Sequence, residues 1–176
     1  MKIILFLLGC LVLTNCQTYN ATNYCLNYDF QYNLVTPNLL LGDWFPIVVD
    51  SSLSYNYDCH KFNIVDPGTG IFNVNVISLL NNNSLFSFSL DKTKRNNSFL
   101  SWINNTRTLN TILDTDYSTY CVGIKCMEYP DGFRYHAFIL SRTMTLPDDL
   151  LLRLENLITH NFGNFDFRRI SFSNCS

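Results

Sequence analysis

From residue 42 onward, apolar and polar residues alternate in short runs interrupted by turn residues about every ten positions, and this rhythm sets the fold class. Ile71-Phe72-Asn73-Val74-Asn75-Val76 and Leu85-Phe86-Ser87-Phe88-Ser89-Leu90 alternate with period two, the pattern of strands with two different faces. Asp66-Pro67-Gly68-Thr69-Gly70, Asn81-Asn82-Asn83 and Pro130-Asp131-Gly132 punctuate them as turns. With further runs at 42–50, 57–65, 97–103, 107–114, 117–127 and 133–142, the chain reads as eight strands in consecutive hairpins. The period then changes. Leu150, Leu151, Leu154, Leu157 and Ile158 share one stripe at helical spacing, and Pro147 suits the opening of a helix over 147–160. A last β-like run covers 165–172. A meander of this kind followed by one helix predicts an all-β, antiparallel up-and-down barrel, with the helix packed outside, over a sandwich. Eight strands also suffice to enclose one small ligand.

The first residues stand apart from that pattern. Lys2 followed by an apolar run over 3–13 has the make-up of a secretory leader, and the run is shorter than the roughly 20 apolar residues a bilayer span needs. Thr14 and Cys16 suit cleavage after Cys16. Residues 1–16 are therefore read as a signal peptide, 17–41 as an N-terminal arm, and 42–176 as barrel, helix and tail. Leu13-Thr14-Asn15-Cys16 distantly resembles a lipoprotein box, but Asn15 fits poorly before a lipidated cysteine. No other run is long and apolar enough to cross a membrane as a helix, so the expected location is extracellular. Asn20, Asn82, Asn96 and Asn104 each open a glycosylation sequon, which predicts surface positions in a secreted protein.

With 47% hydrophobic residues, 14 Phe and 10 Tyr, one domain has ample material for a core. The formal net charge of −2 becomes −3 once Lys2 is removed, and no basic stripe appears, so nucleic acid is not an expected partner. Five of the seven cysteines follow residue 16: Cys25, Cys59, Cys121, Cys126 and Cys175. In an oxidising compartment they suggest two disulfides and one remaining thiol, whose pairing the spacing does not decide. Cys121 and Cys126, five apart, would point to opposite faces of a strand. No Cys-x-x-Cys or His/Cys cluster suggests zinc, and no cofactor is expected.

Three segments add a resemblance. Leu40-Leu41-Gly42-Asp43-Trp44-Phe45, Ile112-Leu113-Asp114-Thr115-Asp116-Tyr117, and Phe138-Ile139-Leu140-Ser141-Arg142 followed by Leu146-Pro147 resemble the three motifs of the lipocalin family, in order and register. The likeness is greatest to its apolipoprotein D-like and insect bilin-binding members. It implies a Cys25–Cys126 and a Cys59–Cys175 disulfide, with Cys121 unpaired. It also implies a structural signature at the closed end of the barrel: Arg142 lies across Trp44, Gly42 serves the tight entry to the first strand, and Thr115, Asp116 and Tyr117 form a turn. Two positions depart from the family pattern. Pro46 interrupts the first strand and suggests a bend, and Cys121 stands where related chains carry a small apolar residue.

The candidate pocket follows from strand parity. If Arg142 points inward, His136, Phe138 and Leu140 share its face. The same alternation selects Phe62 and Ile64, Phe72, Val74 and Val76, and Thr111 and Leu113 on other strands. These residues describe an apolar, aromatic cavity for an oily ligand. His60 and His136 invite a haem-ligand reading, although a lone strand histidine is more often a packed residue. Cys121 is the one candidate nucleophile, but no base that would lower its pKa can be named. The expected function is that of a secreted carrier of a small hydrophobic molecule (fatty acid, sterol, retinoid, pheromone or bilin) without catalysis. The alternative is a salivary-type inhibitor or scavenger that engages a protein partner through open-end loops such as 51–56.

Overall fold

The computed structural model describes Cys25 and residues 35–53, 55–93, 97–103 and 106–175. A short 3-10 turn at Pro37–Leu40 leads into β1 (Gly42–Asp50), followed by β2 (His60–Val65), β3 (Ile71–Ser78), β4 (Ser84–Lys92), β5 (Ser98–Ile103), β6 (Thr106–Thr115), β7 (Tyr120–Tyr129) and β8 (Gly132–Ser141). Helix α1 (Asp148–Phe162) and a three-residue β9 (Phe167–Arg169) complete the chain. Each strand from β2 to β7 pairs with the next, β8 pairs with β1, and β1 pairs with β2, closing an antiparallel barrel. β9 adds to β1 as an outer strand through Val48↔Arg169, Val49↔Arg168 and Asp50↔Phe167.

The seams of the barrel are unequal. β7 and β8 pair along their whole length, from Tyr120↔Ser141 to Tyr129↔Gly132. β4 and β5 pair only at Asp91↔Leu100 and Lys92↔Phe99, and β1 and β2 only from Gly42↔Ile64 to Trp44↔Phe62. Both partial seams lie at the same end of the barrel, so the strands are held together there and diverge toward the other end. The first end is closed and the second open.

Besides a register shift between Val76 and Ile77 in the β3–β4 pair, two bulges bear on which side chains face inward. The β1–β8 register shifts between Pro46 and Val48, the bend expected of a residue with no N–H to offer the ladder. A second shift, between Ile112 and Asp114, interrupts β6 against β7. It inserts one extra residue and reverses the parity of β6 below the Thr115 turn. Thr111 and Leu113, expected inside, are thereby turned to the outer face, and Asn110 and Ile112 take the inward positions. Leu113 packs in the core beneath α1, and the Thr111 hydroxyl meets Ser98 Oγ at 3.0 Å.

Two larger apolar cores result, beside a small cluster of Cys25, Leu109 and Cys126. Outside the barrel, Val48, Val122, Ile124, Ala137 and Ile139 are buried against Leu151, Leu154 and Ile158 of α1. The helix follows Pro147, has Asp148 and Asp149 in its first turn where the helix dipole favours negative charge, and ends at Gly163. Inside, at the closed end, Val35, Leu40, Trp44, Phe72, Phe99, Ile112, Cys121 and Leu140 form a second cluster.

Cys25 is bonded to Cys126 and Cys59 to Cys175, while Cys121 is free and buried. Some predicted strand limits shift for conformational reasons. β2 starts at His60, not at residue 57, since Cys59 has φ 57°. β7 starts at Tyr120, since Tyr117 has φ 65° and belongs to the preceding turn. Arg142 falls one residue beyond β8, and only Phe167–Arg169 of the last β-like run is strand. Asn82 is exposed in the β3–β4 turn. The proposed leader and the sequons at Asn20, Asn96 and Asn104 lie outside the described residues. Among the described residues, no helix is long and apolar enough to cross a membrane.

Candidate ligand-binding site

The closed end is a network around two side chains. Trp44 is fully buried and its Nε1 donates to Leu40 O at 2.7 Å. The Arg142 guanidinium lies 3.6 Å from the Trp44 ring centroid, a cation–π contact. Its nitrogens also donate to three backbone carbonyls: Nε to Tyr117 O, Nη1 to Asp43 O and Nη2 to Leu39 O, at 3.0, 2.9 and 3.1 Å. One guanidinium thus ties the arm, β1 and the β6–β7 turn together. Gly42, at φ 98°, lets the chain enter β1 beneath it; a Cβ there would sit 3.3 Å from Arg142 Nη1.

The β6–β7 turn is held by its own side chains. Asp116 Oδ1 accepts from the backbone N–H of Ser118, Thr119 and Tyr120 at 3.1, 2.7 and 3.0 Å. Burial raises the Asp116 pKa, but these bonds outweigh it and hold the carboxyl below its ordinary value. Thr115 Oγ1 donates to Tyr120 O and accepts from Tyr117 N, and the Tyr117 hydroxyl accepts from Thr36 N. Of these groups only Trp44 and Leu40 border the cavity above, as its floor. The constellation is a plug.

Above the plug lies a cavity of about 590 Å³, within the usual range for small-molecule sites. Of the residues selected by parity, Phe62, Ile64, Val74, Val76, His136, Phe138 and Leu140 line it. Phe72 sits lower, edge-on to Phe99 at 6.3 Å within the floor cluster. Thr111 and Leu113 are excluded by the β6 bulge. Gly123, inward on β7, makes room for the Phe138 ring opposite; a Cβ there would lie 2.5 Å from both Phe138 Cζ and Thr111 O. His60 does not line the cavity. It packs beside Tyr55, in an aromatic group with Tyr57 and Phe86.

Several lining residues escaped the sequence reading. Ser52, Leu53, Tyr55 and Tyr57 of the β1–β2 loop lean over the opening, Phe86, Phe88 and Leu90 come from β4, and Trp102 and Ile103 from β5. Trp102 is 60% exposed beside the β4–β5 gap. On β7 the inward positions are Cys121, Gly123, Lys125, Met127 and Tyr129. Counting by twos from Cys121 finds them, yet Lys125 would still read as a solvated strand residue. Instead it lines the cavity, and burial pushes its pKa down to about 8.

His136 neighbours Lys125 in register across β7 and β8. It is 4% exposed; its Nδ1 lies 3.1 Å from Ser52 Oγ and 3.5 Å from Asp50 Oδ2, while its Nε2 is buried without a hydrogen-bond partner. Burial lowers its pKa and Asp50 partly offsets this. Cys121, at the cavity floor, is fully buried, and desolvation pushes its thiol up to about 12 despite Thr115 and Arg142. At neutral pH it is a protonated thiol that packs as a small hydrophobe and has no activated nucleophilic character.

No family model and no curated protein matches the chain. Solved structures do. Lobster apocrustacyanin A1 superposes with a TM-score of 0.61 at 20% identity, covering 88% of this chain and 84% of that one. Insecticyanin from the tobacco hornworm Manduca sexta gives 0.60 at 17% identity, covering 81% and 84%. The siderocalin Ex-FABP, described as working through dual ligand specificities, gives 0.60 at 15% identity, covering 77% and 97%. A closed eight-stranded antiparallel barrel with one outer helix, plugged at one end and hollow at the other, is the lipocalin fold.

Proposed function

We propose that the chain is a secreted, extracellular carrier that takes up a small hydrophobic molecule reversibly and performs no chemistry on it. The observation that carries this reading is the cavity itself: about 590 Å³ lined mainly by aromatic and aliphatic side chains, above a floor sealed by Trp44 and Arg142. Both disulfides suit an oxidising compartment, and the leader-like residues 1–16 point the same way. Structural similarity to crustacyanin, insecticyanin and a siderocalin is consistent with ligand carriage but does not choose a ligand, since specificity lies in the pocket lining. Fatty acids, sterols, retinoids, pheromones and bilins all belong to the class such a cavity can hold. The proposed contacts are Phe62, Ile64, Val74, Val76, Phe138 and Leu140 around the ligand body, with His136 near its polar end.

Protein from the medium of cells that secrete it, extracted with organic solvent and examined by mass spectrometry, tests the reading. A single lipid or pigment recovered in about one-to-one ratio supports it. An empty barrel that instead captures a protein through the 51–56 loop and exposed Trp102 would transfer the function to the open-end surface.

A further inference from the structure

The cavity is apolar almost throughout, yet it contains a cation with no counter-ion. Lys125 projects from the middle of β7, between Gly123 and Met127 on the same inner face. Among the described residues no carboxylate forms an ion pair with it, and burial is the sole cause of its shifted titration. Its register partner on β6, Asn110, directs its amide at Phe99 O and Ser101 Oγ, at 3.3 and 2.9 Å. Its register partner on β8 is His136, whose buried Nε2 is also unpartnered. Asp50, the nearby acid, is engaged elsewhere: it lies on the Nδ1 side of His136 and accepts from Ser52 N at 2.9 Å. Two polar groups on adjacent strands therefore lack partners in a cavity whose other walls are mainly aromatic and aliphatic.

A partly buried ammonium without an anion costs the empty protein some stability, and a buried imidazole nitrogen without a partner adds to that cost. A ligand that brings an anion relieves both at once. We infer that the cavity is built for an amphiphile with a carboxylate head, which Lys125 Nζ grips and His136 Nε2 completes, while the apolar walls hold its hydrocarbon body. Ser52 Oγ lies 3.1 Å from Nδ1, and the neutral tautomer that carries its proton on Nε2 can donate it to the second carboxylate oxygen. One ammonium and one neutral imidazole balance a single negative charge. A phosphate monoester would bring about two, and the lining offers no second Lys and no Arg to meet it.

This inference rests on the carrier reading and narrows it to acids. The test uses the full chain, freed of lipid, with palmitate, methyl palmitate and hexadecanol as probes in a fluorescence-displacement assay. Palmitate is expected to bind about tenfold more tightly than the ester or the alcohol, the size of one charge-assisted hydrogen bond. Lys125→Met should erase that preference while the ester binds as before, and Lys125→Arg should restore most of it. Equal affinity of wild type for acid and ester, or a preference that survives Lys125→Met, overturns the carboxylate assignment and leaves the carrier reading standing. Tighter binding of a palmitoyl lysophosphatidate than of palmitate also overturns it. Failure of all these probes and of a sterol and a retinoid would sink the carrier reading itself.

Discussion

The two ends of this barrel are stabilised by different means. At the closed end, local side-chain chemistry suffices: Arg142 crosses Trp44 and gathers three carbonyls, and Asp116 gathers three amides. At the open end, β1 parts from β2 and β4 from β5, so backbone pairing fails at two seams where the cavity opens. Part of what holds that end is covalent. Cys59, at the foot of β2 on the open side, is bonded to Cys175 in the tail. A hollow cannot be filled with packed side chains and still admit a ligand, so the stabilisation has to come from outside it.

Removing the tie at the open end is the severest test of that contrast. The Cys59–Cys175 bridge spans 116 residues, and in the chain-entropy model closing such a loop contributes about 4–5 kcal/mol. The double variant Cys59→Ser/Cys175→Ser is expected to lose about that much in urea unfolding, with the loss concentrated in backbone amides of β2 in hydrogen exchange. If those amides keep their protection, the open end supports itself and the contrast fails.

Arg142→Ala probes the other end with a smaller expected effect. The cation–π contact and the charged hydrogen bonds together amount to about 2–3 kcal/mol at a half-buried site. The melting temperature should fall by several degrees while ligand affinity stays nearly unchanged, because Arg142 does not line the cavity. A large affinity loss at unaltered stability would move Arg142 from plug to binding site.

The plug was far more legible in the sequence than the pocket, and the reason is physical. Trp44, Asp116 and Arg142 act through side chains whose shape and charge restrict what can replace them, so their spacing stands out. Strand order and the helix follow from periodicity, which Phe72, Val74 and Val76 or Leu151, Leu154 and Ile158 display openly. Pocket membership depends instead on parity, and parity is lost at each bulge. The Pro46 bulge announced itself through a residue that cannot donate; the one after Ile112 did not, and it carried Thr111 and Leu113 to the wrong face. Lys125 was missed for a different reason. Lysine in a strand normally marks the solvent side, and only the closure of the barrel reveals that this one faces inward.

Lys125 supplies the most specific of these effects, because it sets the stability of the open half against its use. Its pKa is about 8 in the folded chain against 10.5 when exposed, lowered by burial alone. Between those values the unfolded chain holds a proton that the folded chain has released, so stability should rise with pH from about 8 to about 10. Below about 8 both states are protonated and the full penalty applies. Other groups titrate too: burial pushes Tyr57 up to about 12, which disfavours the fold as pH passes its ordinary value of 10.0, and the lowered His136 is neutral throughout this window. The difference between wild type and Lys125→Met removes these shared contributions. The ligand-free variant should melt a few degrees higher than wild type at pH 7, and the gap should narrow toward pH 10. With palmitate bound, the pH 7 gap should shrink or reverse, since the carboxylate then supplies what the empty cavity lacks. A ligand-free gap that does not vary with pH would mean that Lys125 reaches water when the barrel is empty, and the open end would then bear no charge penalty for the ligand to relieve.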